Sequence, residues 1–266
     1  MIDYDMTNEA YHSLPAIGSS GIRALLRSPA HYYGTTLDPN RPVRDDSRFL
    51  AGTLAHCCVL EPSQFGKRYI VKPEGMDGRT KEGKAWAASV APGMTIISDD
   101  QAMTAWRQAA SILRLPEIAE LINGARTEVS AFWQDAATGV DCKCRPDWLS
   151  EVGSGVIIPD LKTTQDASPE GFAKSVARYG YHIQAAHYSD GFERASGRQV
   201  LGFIFVCVEA DYPHAAAAYM LDDEAMEKGR EEVRRALALY AECKASGVWP
   251  GYPNTIQPLS LPHWAL

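Results

Sequence analysis

Two aspartates and a lysine between Arg145 and Thr164 have the types and spacing needed for metal-assisted hydrolysis. Asp160 and Lys162 are two residues apart in VIIPDLKTT, and Asp147 precedes them in CRPDWL. Because side chains alternate along a strand, Asp160 and Lys162 are predicted to share one face. A Mg²⁺ ion between the two aspartates would have the oxygen ligands it prefers, and Lys162 could orient or deprotonate a water. Such an arrangement can hydrolyse phosphodiesters; the alternative is a simple ion pair on a strand.

The strand that carries Asp160 is predicted to be central and buried, because it is apolar on both faces. Pro159 has no N–H to donate, so we expect the pairing to be interrupted or bulged there. Charges on a buried strand are costly unless they are paired. Two carboxylates in one site repel each other, so replacing Asp160 with alanine is expected to abolish hydrolysis and leave the fold intact.

Asp147 is predicted to lie at the end of a β-hairpin. TEVSAFWQ and GVDCKCRPDWL have the composition of its strands, and DAATG has that of its turn. On this interpretation Arg145 and Asp147 share one face of the second strand, and Glu128 begins the first strand. VIIPDLKTT is predicted to follow as the third strand, after an EVGSG turn.

Two predicted helices add polar side chains. The first runs from about Ser47 to Leu60 and turns His56 inward, where a histidine is more often a packed core residue than a ligand. The second follows a break near Gly180 and carries Gln184 and Tyr188, which are four residues apart and therefore share a face. Both could instead be partly buried helix residues.

The composition is that of an ordinary globular protein. With 266 residues, 45% apolar and 22% charged, the chain can bury a sizeable core, and we predict one domain, residues 1–266. The elements predict an α/β fold, with a mixed sheet flanked by helices. No apolar run approaches membrane-spanning length, and the N-terminus does not resemble a secretory signal.

Six cysteines without paired spacing indicate reduced thiols and a cytoplasmic location. Their spacing suits neither a zinc ribbon nor a four-cysteine iron–sulfur cluster. The net charge of −7 argues against a protein that coats nucleic acid with a basic surface. A local basic channel remains compatible with this charge, and the basic loops 38–48 and 72–84 are candidates for it. Each of these loops could instead be a solvated connector.

The ordered motifs resemble the PD-(D/E)XK nuclease superfamily, in the branch with a Q-x-x-x-Y helix after the catalytic strand. More closely, they resemble the nuclease domain of the RecE (exonuclease VIII) family. D-x-K alone is a weak signal, but the whole ordered set is specific. The motifs span nearly the whole chain: YHSLPAIGSSGIRALLRSPAHYY, GTLAHCCVLEP, CKCRPDWL, DLKTT, YHIQAAHYSDGF and LSLPHWA. The resemblance implies a PD-(D/E)XK restriction-endonuclease-like core.

The resemblance also implies a metal site. Asp147, Asp160 and the carbonyl of Leu161 would bind the metal. His56 would be a catalytic residue on the metal side of the site. Glu128 matches a glutamate that serves a second metal in related exonucleases. Asp160 stands where glutamate is commoner in the superfamily, although the RecE group itself has aspartate.

The remaining implied roles concern water and substrate. Lys162 would position the nucleophilic water, and Gln184 and Tyr188 would help to orient the substrate and Lys162. The implied activity is a Mg²⁺-dependent exonuclease, with Mn²⁺ as a substitute, that degrades duplex DNA from 5′ to 3′ and leaves 3′ tails for recombination. An endonuclease on the same fold and a weakly active DNA-binding scaffold are the alternatives.

The resemblance further implies assembly and a partner. We expect a ring-shaped homo-tetramer, which would retain DNA by topology, and a single-strand annealing protein of the RecT type. The segment after Trp249 and the loop 38–48 are candidate subunit contacts. The predicted basic residues of the ring lumen are Arg41, Arg44, Lys81 and Lys84.

Overall fold

A five-stranded mixed sheet lies between two layers of helices. The computed structural model describes residues 1–42 and 47–261. In these residues the strands are Ile2–Asp3 (β1), Tyr69–Val71 (β2), Thr95–Ile97 (β3), Arg126–Thr127 (β4), Ser130–Gln134 (β5), Asp141–Cys144 (β6), Trp148–Val152 (β7), Gly155–Thr164 (β8), Val200–Glu209 (β9) and Ala216–Met220 (β10). The α-helices are Asn8–Ser13 (α1), Ser19–Arg27 (α2), Pro29–Tyr32 (α3), Leu50–Leu60 (α4), Phe65–Arg68 (α5), Lys81–Ser89 (α6), Asp99–Leu113 (α7), Pro116–Ile122 (α8), Pro169–Tyr179 (α9), Tyr181–Ser196 (α10) and Asp223–Ser246 (α11).

The central sheet has the strand order β10–β9–β8–β7–β4. Its long strands β8 and β9 are parallel, and the other neighbours are antiparallel. On one face of β8, Ile158 packs with Phe172 of α9 and Phe192 of α10. On the other face, Leu161 packs with Leu60 of α4. The prediction that this strand is buried on both faces is therefore confirmed.

Local sequence signals account for the helices that flank the site. Ser168 caps α9 by accepting from the Gly171 N–H, and proline occupies the first turn. Gly180 ends α9 in the left-handed conformation, at φ 65°, and α10 begins at the next residue. The predicted break near Gly180 is thus confirmed. None of the helices in the described ranges is long and apolar enough to cross a membrane.

Both strands of the hairpin change sheets, which was not predicted. β4 pairs with β7 in the central sheet, whereas β5 and β6 pair with each other in a separate sheet that also contains β1. One break lies at Glu128, which has a φ of 55°, and the other spans Arg145 to Asp147. Pro146 lacks an N–H and therefore cannot continue a ladder. Arg145 and Asp147 consequently do not share a strand face, and that prediction was wrong.

Candidate active site

The Asp160 carboxylate is held by two side chains on the α10 side of β8. Gln184 Nε2 donates to Asp160 Oδ1 at 2.8 Å, and the Lys162 ammonium donates to Asp160 Oδ2. Asp160 is 1% exposed, and the Lys162 side chain is 14% exposed. Asp160 and Lys162 thus share a face, as predicted, and they form the ion pair that the alternative interpretation described.

Asp147 lies where β7 has separated from β8. The last Cα pair between these strands is Ser150–Ile157, and Pro159 offers no N–H beyond it. The next N–H on this side of β8, that of Leu161, donates to Asp147 Oδ2 at 2.7 Å. Because the N–H and C=O of a strand residue point to the same side, the Leu161 carbonyl also faces this gap.

His56 and Glu128 border the same gap. His56 lies on α4, is 34% exposed, and has its Nδ1 3.7 Å from Asp147 Oδ2. Glu128 sits at the other hairpin break, where its N–H donates to the Asp147 carbonyl at 3.2 Å. Arg145 Nε lies 2.8 Å from Glu128 Oε2, and Arg145 Nη2 donates to the Met6 carbonyl at 2.7 Å. The two hairpin breaks are therefore tied together beside Asp147.

Burial and mutual repulsion dominate the electrostatics. Burial raises the pKa of Asp160, Lys162 opposes this rise, and the charge of Asp147 adds to it. Burial alone would lower the pKa of Lys162, but the two carboxylates more than offset it and the net pKa is raised. Burial and Asp147 also raise the pKa of Glu128 to about 7, against the opposing effect of Arg145. The gap thus concentrates carboxylates in a poorly solvated place.

The donor set suits a hard divalent cation. Two carboxylates and a backbone carbonyl are the ligand types that Mg²⁺ takes, and a carboxylate oxygen that already accepts one hydrogen bond still has a second lone pair. In residues 1–42 and 47–261, no group of three His, Cys, Asp or Glu side chains could hold a metal ion. A cation at Asp147 and Asp160 would therefore depend on the Leu161 carbonyl and on water, which Mg²⁺ commonly retains.

The Q-x-x-x-Y residues lie on α10, as predicted, but they are not equivalent. Gln184 contacts Asp160 rather than Lys162. Tyr188 is partly buried one turn further on, where its ring meets that of Phe203 edge-on at 6.1 Å. Within the described part of the chain, no hydrogen bond joins Tyr188 to Lys162. Gln184 therefore positions the carboxylate, while Tyr188 packs behind it.

Sequence reasoning missed Tyr181, which borders the site, and a buried histidine further along α10. The Lys162 ammonium lies 5.0 Å from the centre of the Tyr181 ring. His187 is fully buried, with Nε2 3.1 Å from the Lys143 carbonyl, and burial lowers its pKa to about 4. Tyr181 is three residues before Gln184, so helical spacing could have placed it on the site face.

A mixed sheet with Asp160 and Lys162 on its central strand, and Asp147 beside them, has the architecture of the PD-(D/E)XK nuclease superfamily. A family model described as "PDDEXK-like domain of unknown function (DUF3799)" matches residues 18–261, and the chain belongs to this family. No curated protein matches the sequence. The predicted superfamily and fold class are thus confirmed, whereas the closer resemblance to RecE stays a prediction.

Solved structures agree on the fold. The crystal structure of a candidate exonuclease from Eubacterium rectale is similar, with a TM-score of 0.64, 16% identity and coverage of 97% of each chain. An alkaline exonuclease from Laribacter hongkongensis has a TM-score of 0.29 and 15% identity, over 76% of this chain and 96% of that one. The first similarity shows the fold, and the second is too low to support an argument.

Proposed function

We propose that this protein is a metal-dependent DNA exonuclease. The observation that carries the proposal is the gap between β7 and β8, where Asp147 accepts the Leu161 N–H beside the Asp160–Lys162 pair. Carboxylates with a neighbouring ammonium are suited to hydrolysing a phosphodiester. The finer activity, 5′-to-3′ digestion of duplex DNA that leaves 3′ tails for recombination, rests on the RecE resemblance.

Asp147, Asp160 and the Leu161 carbonyl would hold Mg²⁺, with Mn²⁺ as a substitute, and His56 and Glu128 border the same place. The bound ion would supply charge stabilisation and a more acidic water. Gln184 and Lys162 together keep both oxygens of Asp160 in one orientation, so the carboxylate is pre-organised before substrate arrives.

Lys162 has three donors, and one of them engages Asp160. The other two can hold the attacking water and a phosphate oxygen, so Lys162 orients the nucleophile and offsets negative charge that develops on the phosphate. His56, being a third exposed, can reach a solvent-side group from α4. Tyr188 supports the helix face that presents Gln184.

The proposed assembly is a ring-shaped homo-tetramer that works with an annealing protein of the RecT type, and it too rests on the resemblance. Arg41, Lys81 and Lys84 are exposed, as a DNA-facing lumen requires. Arg44 lies outside the described residues, as does the end of the LSLPHWA motif. Light scattering should find a species several times the chain mass of 29.1 kDa.

The decisive experiment compares linear with covalently closed duplex DNA in Mg²⁺. An exonuclease degrades only the linear form, an endonuclease cuts both, and a binding scaffold leaves both intact. Labels at the 5′ or 3′ end of the linear duplex report the direction, because 5′-to-3′ digestion releases the 5′ label first. Asp147→Asn should be inactive. Glu227→Gln, which alters an exposed ion pair with Arg234 on α11, is the matched control and should digest normally.

A further inference from the structure

A row of cations and aromatic rings leads from the candidate site to the surface. The Lys162 ammonium lies over the Tyr181 ring, at 5.0 Å from its centre. The Tyr181 and Tyr179 rings follow with centres 5.7 Å apart and planes tilted by 35°. The Arg178 guanidinium lies 5.5 Å from the centre of the Tyr179 ring. The row therefore connects the lysine beside Asp160 with solvent.

The junction between α9 and α10 fixes the spacing of the two tyrosines. Tyr179 is the last residue of α9 and Tyr181 the first of α10, with Gly180 between them in the left-handed conformation. A Cβ on Gly180 would lie 3.0 Å from Ile183 and 3.1 Å from the Arg23 side chain, so only glycine fits comfortably. Arg23 Nη1 also donates to the Tyr179 carbonyl at 2.7 Å. Both rings are thus held by rigid backbone.

Packing against the core accounts for the position of the Tyr181 ring but not for that of the Tyr179 ring. The Tyr181 ring stacks on Phe172, with centres 5.9 Å apart, at the edge of the core. Tyr179 is 47% exposed. Of the described aromatic and cationic groups, only Tyr181 and Arg178 contact its ring. An isolated exposed tyrosine would need no explanation, but this one extends the row that starts at Lys162.

The depth of the site indicates what the row could contact. Asp160 is 1% exposed and Lys162 only 14%, so a phosphodiester that reaches them must enter a recess. The nucleoside next to that phosphodiester would lie at the mouth of the recess, where Tyr179 presents its exposed ring. The Tyr181 ring stacks on Phe172 and has the Lys162 ammonium over it, so it can only back the Tyr179 ring. A base inside a duplex has both faces covered by its neighbours, so it could stack on Tyr179 only at a strand end or where the strand is unpaired.

We propose that Tyr179, backed by Tyr181, forms a stacking subsite for a nucleobase of an unpaired DNA strand, and that Arg178 contacts the adjacent backbone. The proposal rests on the proposed function, because it assumes that a phosphodiester occupies the site. Stacking on tyrosine tolerates any base, since every base has a π-face, and arginine adds electrostatic attraction. The subsite therefore favours an unpaired or terminal base and does not select sequence.

A fluorescent oligonucleotide tests this binding directly. A single-stranded DNA with 2-aminopurine near its end should lose fluorescence when the base stacks on tyrosine, in EDTA and again in Ca²⁺. Tyr179→Ala should weaken binding about tenfold, which corresponds to ~1.4 kcal/mol. Tyr179→Phe should bind as the wild type does, whereas Tyr179→Leu, which keeps bulk without a π-face, should resemble the alanine variant.

Tyr33→Ala is the matched control. Tyr33 is also exposed and also contacts an aromatic ring, that of Trp249, but it lies outside the row. This variant should bind and digest normally. On a short single-stranded substrate, Tyr179→Ala should raise KM and leave kcat nearly unchanged.

The binding and hydrolysis results separate the two proposals. The stacking subsite would be overturned if 2-aminopurine fluorescence were not quenched in the wild-type complex, or if Tyr179→Ala bound DNA like the wild type. Either result would leave the nuclease proposal standing. Normal quenching by a wild-type protein that never hydrolyses DNA in Mg²⁺ or Mn²⁺ would overturn the nuclease proposal and keep the subsite.

Discussion

Replacing Asp160 with alanine should destabilise the fold as well as abolish hydrolysis, because it leaves the Lys162 ammonium buried without its partner. Breaking a buried ion pair by removing one member costs roughly 3–5 kcal/mol. Gln184 Nε2 also loses its acceptor, which costs about 1–3 kcal/mol more when the amide finds no other partner. Relief of the repulsion from Asp147 offsets part of this cost. We expect a net loss of about 3–5 kcal/mol.

A double-mutant cycle isolates the pair. Urea unfolding at pH 7 without metal would be followed by circular dichroism for the wild type, Asp160→Ala, Lys162→Met and the double variant. The double variant contains neither buried charge, so it should be more stable than Asp160→Ala alone, with an interaction energy of about 2–3 kcal/mol. Asp160→Asn, which keeps an acceptor for Gln184, should lie between Asp160→Ala and the wild type.

Two results would refute this reasoning. An Asp160→Ala variant that unfolds at the wild-type urea concentration would mean that relief of carboxylate repulsion fully offsets the lost ion pair, so that the fold stays intact as the sequence alone predicts. Strict additivity in the cycle would mean that Asp160 and Lys162 do not stabilise each other. Separately, an Asp160→Ala variant with full hydrolytic activity would refute the site itself.

Three further outcomes are expected. Mg²⁺ should raise the melting temperature of the wild type but not of Asp160→Ala, measured by calorimetry with and without EDTA. His56→Ala should lose turnover with little loss of stability, and parallel melts and kinetics would reveal a packing role if activity only followed the folded fraction. His187 has a folded-state pKa of about 4 against an ordinary 6.5, with Asp135 and Arg194 nearby. The unfolded chain therefore binds its proton first as pH falls, so stability should drop by up to ~3 kcal/mol between about pH 6.5 and about pH 4. His187→Gln should flatten that part of the urea-unfolding profile, and parallel profiles for both proteins would contradict the assignment.

Rules that use only neighbouring residues in the sequence were sufficient to predict the central strand and the helices around it. Two-residue alternation placed Asp160 and Lys162 on one face, and apolar residues on both faces marked a buried strand. The start of α9 at Ser168 and its end at Gly180 followed from capping chemistry. Helical spacing likewise put Gln184 and Tyr188 on one face of α10. Each of these inferences needs only residues that are close in sequence.

The contacts among elements needed tertiary information. No sequence pattern indicates that Gln184 reaches Asp160 rather than Lys162, because that depends on how α10 lies over β8. The break at Glu128 was also hidden, since a glutamate at a φ of 55° is uncommon and has no composition signal. Strand-like composition on both sides of Asp147 favoured the prediction of an unbroken hairpin. Pro146 argues against it, because proline has no N–H to donate to a strand ladder.

The gap between β7 and β8 is what turns ordinary strand residues into a candidate site. Had β7 continued along β8, a strand neighbour would have taken the Leu161 N–H, and Asp147 would have had no place beside it. Pro146 and Pro159 flank the gap from opposite sides, and each lacks the N–H that would extend the ladder. The hairpin must then bend into a second sheet, which carries Asp147 to the freed edge of β8. The prolines that interrupt the sheet therefore create the opening in which the two aspartates meet.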